Sequence, residues 1–283
     1  MSLEEFIDLL FDDLRWRKKE ISDLHAVIQN NDTEALRKSL LLIIYSHWEG
    51  FIKNGSKLYL SYIEHQELEI GNLTTNYKAM SLKTIAGKCL GSGRKKMTLG
   101  NEIEFMELYK ENKTQKFSLD KNVYDDKDKS IIDTEQNLSP QIFFSLCRVI
   151  GLPEKKSIKR NNDLIDKHML KNRNAISHGN KIEFNDSLEF NLSLPSLTMI
   201  KNIILAILHN FKDDLSIYAE KEYYLESNSD KKLIYDTESN TSLCDIINPK
   251  TKKTKKTKNK YTNFKLHTPQ KLYNFWARAP KNK

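Results

Sequence analysis

The sequence predicts an all-α fold: a helical bundle with a loop-rich insertion in its middle and a basic C-terminal tail. Three observations carry this. Apolar residues recur at intervals of three and four through most of the first 220 positions, the spacing of one face of an α-helix. Residues 111–136 are polar and mostly non-periodic, which reads as loop with one short strand at most. The last 38 residues hold eleven Lys, one Arg and no acid.

Taken in order, residues 3–28 carry Leu3, Phe6, Ile7, Leu10, Leu14, Ile21, Leu24 and Ile28 as one stripe. Asp32 or Thr33 then offers an N-cap for a helix over about 34–64, with Leu36, Leu40, Ile43, Ile44, Trp48, Phe51, Leu58, Tyr59 and Tyr62 inward. Gly50 and Gly55 interrupt that pattern, each at a helix cost of about 1 kcal/mol against Ala, which close packing against a neighbour would explain. Short helical patterns near 78–90 and 101–110 flank the turn GSGRKK. Ser139 and Pro140 supply a cap and a first-turn proline for a helix lined by Ile142, Phe143, Leu146, Val149 and Ile150 and stopped by Gly-Leu-Pro. Asn161, Asn162 or Asp163 can cap the next helix, which runs to His178 with Gly179 after its end. Leu164, Ile165, Met169, Ala175 and Ile176 are its expected core face. A hairpin-like stretch, KIEFNDSLEFNLSL, leads to a long helix from Pro195. The expected organisation is a bundle over 1–224, with the insertion at about 65–136, and a partly disordered extension over 225–283.

Composition narrows the function classes. No run of 18 apolar residues occurs and the start is acidic and amphipathic, so neither a membrane span nor a signal peptide is expected, and the expected location is cytoplasmic. Cys89, Cys147 and Cys244 are widely spaced, which suits reduced structural thiols. No His/Cys/Asp group has ligand spacing and no glycine-rich phosphate loop is present, so no cofactor is expected. The chain carries +8 overall, yet its positive charge belongs to the tail. Lys252, Lys253, Lys255 and Lys256, with Trp276 further on, could bind RNA through counterion release and base stacking. The same tail could equally be solvated, or dock on the body or on a partner protein.

The stretch KNRNAISHGN, residues 171–180, holds the candidate chemistry. Over five helical residues the chain turns by about 140° and advances about 7.5 Å, so Arg173 and His178 share a wide polar face without stacking. Asn174 pairs with His178 at i, i+4, and Arg173 with Ser177. His178 at a helix end could be a proton-transfer group, or could simply interact with the helix dipole.

Arg173-Asn174-Ala175-Ile176-Ser177-His178-Gly179 resembles the R-N-x-x-x-H signature of HEPN domains, helical bundles that often act as metal-independent ribonucleases. LLIIYSHWEGFIKNGSKLYL at 41–60 and NLSPQIFFSLCRVIGLP at 137–153 are similar to the RiboL-PSP branch, and the likeness covers about residues 30–220. The resemblance implies a homodimer that pairs two motif helices around one cleft. It implies Arg173 and His178 as catalytic residues, with Asn174, Ser177 and Glu49 in support, Asn174 orienting His178 or the phosphate and Glu49 pairing with Arg173. The products would be 2′,3′-cyclic phosphate and 5′-hydroxyl RNA ends. It further implies a toxin or antiphage defence effector with an antitoxin or defence-system partner. The alternative is a non-catalytic HEPN module that binds RNA or a protein.

Overall fold

The computed structural model describes residues 1–90, 99–119, 131–134, 137–179 and 192–248, with backbone alone at 84–90, 99, 101 and 102. The GSGRKK turn, most of the hairpin-like stretch, and the tail with Lys252, Lys253, Lys255, Lys256 and Trp276 lie outside the described residues. Among those described, helices account for the architecture, and strand pairing is limited to the isolated bridges Glu69–Lys116 and Leu73–Leu225.

Three long helices build the core: α1 (Leu3–Asn30), α2 (Glu34–His65) and α8 (Leu194–Glu220), each packed against the other two. Local chemistry sets their starts. Ser2 and Glu5 form a reciprocal capping box on α1, Thr33 Oγ1 accepts the Leu36 N–H, and Ser193 accepts the Ser196 N–H. Because α2 runs through the centre, it buries residues on nearly every side, including Tyr45, Trp48, Phe51 and Tyr59. Helix α8 has the length and mean hydropathy to cross a bilayer; here Leu197, Ile200, Ile204, Leu208 and Leu215 bury its apolar side in the core. The two glycines of α2 are explained by close approach. A Cβ on Gly55 would lie 3.3 Å from both Leu215 and Phe211 of α8, and one on Gly50 would lie 2.5 Å from the Arg17 guanidinium of α1.

Around this core lie α3 (Thr75–Leu90), α4 (Leu99–Asn112), α5 (Pro140–Val149), the single turn α6 (Lys156–Lys159), α7 (Lys171–Ser177) and α9 (Ser229–Ile247). Ser139 caps α5 through the Ile142 N–H, with Pro140 in its first turn. The motif helix departs from expectation at its start. Asp163 makes no side-chain cap, and Leu164–Leu170 is wound as a π-helix before α7 continues it. The wider π turn brings Leu170 into the core beside Ile165 and Met169, while Leu164, Ala175 and Ile176 are only half-buried.

The expected extension from residue 225 begins as part of the packed body, and the compact unit runs from Met1 to Pro249. Helix α9 packs on α8 and α6, burying Leu243 and Ile247 and adding a network of polar side chains. Lys155, just before α6, is buried and ion-paired with buried Asp214 of α8. Its ammonium also donates to Asn210 at 2.5 Å and to Ser239 of α9 at 2.6 Å. Tyr235 and Ser239 of α9 donate to Asp214 at 3.0 and 2.6 Å. The sparse apolar pattern of α9 concealed this packing.

Histidines inside the bundle set its acid sensitivity. Burial, reinforced by Lys18 and Lys212, pushes His209 down to about 3. Burial also lowers His25 and His47. A base whose folded pKa is depressed favours the fold fully above its unfolded value of about 6.5 and loses that contribution as pH falls toward the folded one. Thermal melts should therefore show the midpoint falling between pH 6.5 and 4, with a shallower fall in His209→Gln. Parallel curves would remove His209 from the account.

Candidate functional site

Helix α2 sets the geometry of the motif from a distance. Tyr45 and Trp48, three residues apart on one face, engage both backbone polar groups of Leu138. The Leu138 N–H donates to the Tyr45 hydroxyl at 3.0 Å, and Trp48 Nε1–H donates to the Leu138 carbonyl at 3.1 Å. These bonds are buried, where an unmade partner costs about 1–3 kcal/mol. Glu49, one residue on, accepts the Thr134 hydroxyl at 2.7 Å. The segment before α5 is thus moored to α2, and Asn137 is held beside the motif helix.

Arg173 is half-buried against this mooring. Its guanidinium carbon lies 4.6 Å from the Tyr45 ring centroid, a cation–π contact. Its Nη1 donates to Asn137 Oδ1 at 2.7 Å and to Asn174 Oδ1 at 2.9 Å. Arginine has five N–H donors and no acceptor, so these two bonds use both hydrogens of Nη1. The Nε and Nη2 donors make no bond among the described residues. That edge is the planar fork that matches two oxygens of a phosphate.

His178 and Ser177 are exposed at the end of α7. The His178 N–H closes the last turn on the Asn174 carbonyl at 3.0 Å, and Gly179 follows with φ +69°, the left-handed position a helix C-terminus favours. Among the described residues the imidazole makes no hydrogen bond. Arg173, Asn174, Ser177 and His178 therefore follow one another along α7 to its end, with the guanidinium held by two carboxamides and the imidazole exposed.

One expectation needs correction. Glu49 does not pair with Arg173: its carboxylate is taken by Thr134 and Tyr45, and the Tyr45 ring lies against the guanidinium instead. Burial first, then Glu49, pushes the Tyr45 hydroxyl up to about 12, so it stays neutral. Asn174 Oδ1 accepts from Arg173 Nη1, so this carboxamide holds the guanidinium, and its side chain makes no bond to His178 among the described residues. Trp48 sits in the core as expected, and His47 beside it is buried. Asn137 and Tyr45 were missed. The only sequence signal for Asn137 was its place directly before the Leu-Ser-Pro cap, and for Tyr45 its place three residues before Trp48.

An open groove of about 420 Å³ runs past Asn137 and Asn174, the two carboxamides that hold the guanidinium. It is lined by Asn137 and Ser139 on one side, and by Asp163, Asp166, Lys167, Leu170, Lys171 and Asn174 of the motif helix on the other.

A protein-family model described as HEPN_MAE_28990/-like HEPN matches residues 6–224. No curated protein and no solved structure matches the chain. The family match takes in the mooring, the groove and the motif, and stops short of α9.

Proposed function

The chain belongs to the HEPN family, whose members are nucleases or RNA-binding modules, and we propose that it is a metal-independent endoribonuclease acting as a homodimer. The observation that carries this reading is the half-spent guanidinium: Arg173 has its Nη1 fixed by two carboxamides and its phosphate-matching edge unbonded among the described residues, five residues from an exposed histidine.

Cleavage of RNA without a metal requires a base, an acid and a cation at one phosphate. The base takes the proton of the 2′-hydroxyl, whose oxygen attacks phosphorus. The P–O5′ bond breaks, and the leaving 5′-oxygen takes a proton from the acid. The phosphate then closes as a 2′,3′-cyclic diester beside a 5′-hydroxyl end. Imidazole, with an ordinary pKa near 6.5, can fill either proton-transfer role at neutral pH. The Arg173 fork would hold the non-bridging oxygens and stabilise the charge of the five-coordinate phosphorus. One motif supplies one imidazole, so the second role falls to His178 of another copy of the chain. Ser177, exposed beside it, would contact the RNA backbone. The tail lysines Lys252, Lys253, Lys255 and Lys256, and Trp276, add a non-specific RNA contact in this reading. The biological role we propose is that of a cytoplasmic toxin or antiphage effector held in check by an antitoxin or defence-system partner.

The second reading, a non-catalytic RNA- or protein-binding HEPN module, draws support from the His178 imidazole, which nothing among the described residues orients. Incubating the purified protein with total RNA in EDTA separates the two. Sustained cleavage is expected; RNA binding without cleavage would select the module.

A further inference from the structure

The groove beside Arg173 has a lining that a phosphate cleft alone does not call for. Counting back from Asn174, the residues Leu170 and Lys171, then Asp166 and Lys167, then Asp163 fall at helical spacing along one stripe of the motif helix. Lys167 is tied to Asp163 at 3.5 Å. Asp166 is half-buried, and its carboxylate makes no ion pair or hydrogen bond among the described residues. A carboxylate in that position repels phosphate, so a ligand seated there must offer it donors.

The opposite polarity stands at the Arg173 end. Arginine can only donate, so the bonds from Nη1 to Asn137 Oδ1 and Asn174 Oδ1 fix which end of each carboxamide faces the guanidinium. Both amide nitrogens are then left as donors, and both residues line the groove. Asp166 lies seven residues before Arg173, and buried Leu170 supplies an apolar patch between the two ends.

We propose that this groove is a nucleobase subsite that reads guanine in the nucleotide adjoining the cleaved phosphate. The inference rests on the RNA-acting reading above. Guanine alone among the four bases presents two neighbouring donors, the ring N1–H and the exocyclic amino group, which match the two oxygens of Asp166. Its adjacent O6 acceptor suits a lysine of the lining, Lys167 or Lys171. Adenine and cytosine each offer one amino donor beside a ring acceptor that would face the carboxylate. Uracil sets its single N–H between two carbonyls. A bidentate match of this kind discriminates by roughly five- to 150-fold in affinity.

The test measures binding of guanosine 3′-monophosphate and its adenosine, cytidine and uridine counterparts to the full-length protein. Asp166→Asn, which keeps the shape and replaces one acceptor by a donor, is measured beside it. A full-length variant with Lys252, Lys253, Lys255 and Lys256 changed to Gln reports the tail's contribution. We expect guanosine to bind about tenfold more tightly than the others, with the preference lost in Asp166→Asn and kept in the tail variant. Equal binding of all four, no binding of any, or an unchanged preference in Asp166→Asn overturns the subsite. RNA cleavage is scored separately: a guanosine preference without cleavage leaves the subsite standing and removes the nuclease, and cleavage without the preference does the reverse.

Discussion

Arg173→Ala should lower RNA cleavage about a thousandfold, the range in which removing a preorganised transition-state donor falls. The fold should survive it. The lost contacts are two half-buried hydrogen bonds and the stack on Tyr45, and water can reach the Asn137 and Asn174 amides through the adjoining groove. Arg173→Lys separates charge from geometry. An ammonium keeps the charge but has no fork, and it cannot bond both carboxamides while presenting two further coplanar donors to a phosphate. It should recover no more than about a tenth of the parent rate. Full activity in Arg173→Lys would show that charge alone is needed, and the role given to Asn137 and Asn174 would fall with it.

The second large effect is on stability. Lys155→Ala should destabilise the body by about 3–5 kcal/mol, because it strands a buried carboxylate. For a body of this size that corresponds to a melting point lower by roughly 10 °C. Burial holds Asp214 above the usual carboxylate range even with Lys155 against it, so desolvation outweighs the attraction. The pair therefore adds little net stability over an apolar pair of similar size, and breaking it is what is expensive. Lys155→Met combined with Asp214→Leu should accordingly melt closer to the parent than Lys155→Ala does. A single variant as stable as the parent would mean that Asp214 takes up a proton or a new partner freely. The network also bears on the site, since it ties α8 and α9 to the segment that roots the motif helix. Ser157 bonds Asn240 at 3.2 Å and Asn161 bonds Asn248 at 3.3 Å along the same run.

What the sequence made legible was local. Thr33 and Ser139 act through N–H groups three residues away, and Gly179 through its own φ, so these helix ends follow from neighbouring residues. The long apolar stripes likewise specify α1, α2 and α8. The candidate site was legible as far as Arg173 and His178. Their support was not, because it comes from far along the chain: Asn137 reaches Arg173 across 36 residues, and Leu138 reaches Tyr45 across 93. The Glu49 expectation failed for the same reason. Helix packing places an aromatic ring where a direct ion pair was expected, and residue type alone does not reveal which side chain of α2 meets α7. The π-helix also escaped notice, since Leu164–Leu170 satisfies an α pattern nearly as well. Helix α9 escaped because much of what holds it is polar, and periodicity registers only apolar side chains.

The most direct measurement of the central claim reads the ends of cut RNA, by mass spectrometry, after incubation in EDTA with the parent and with His178→Ala. Proton transfer by imidazole to and from the RNA's own hydroxyls predicts 2′,3′-cyclic phosphate and 5′-hydroxyl ends from the parent and intact RNA from the variant. Ends bearing 3′-hydroxyl and 5′-phosphate, or the same cyclic ends at an equal rate from His178→Ala, would contradict it.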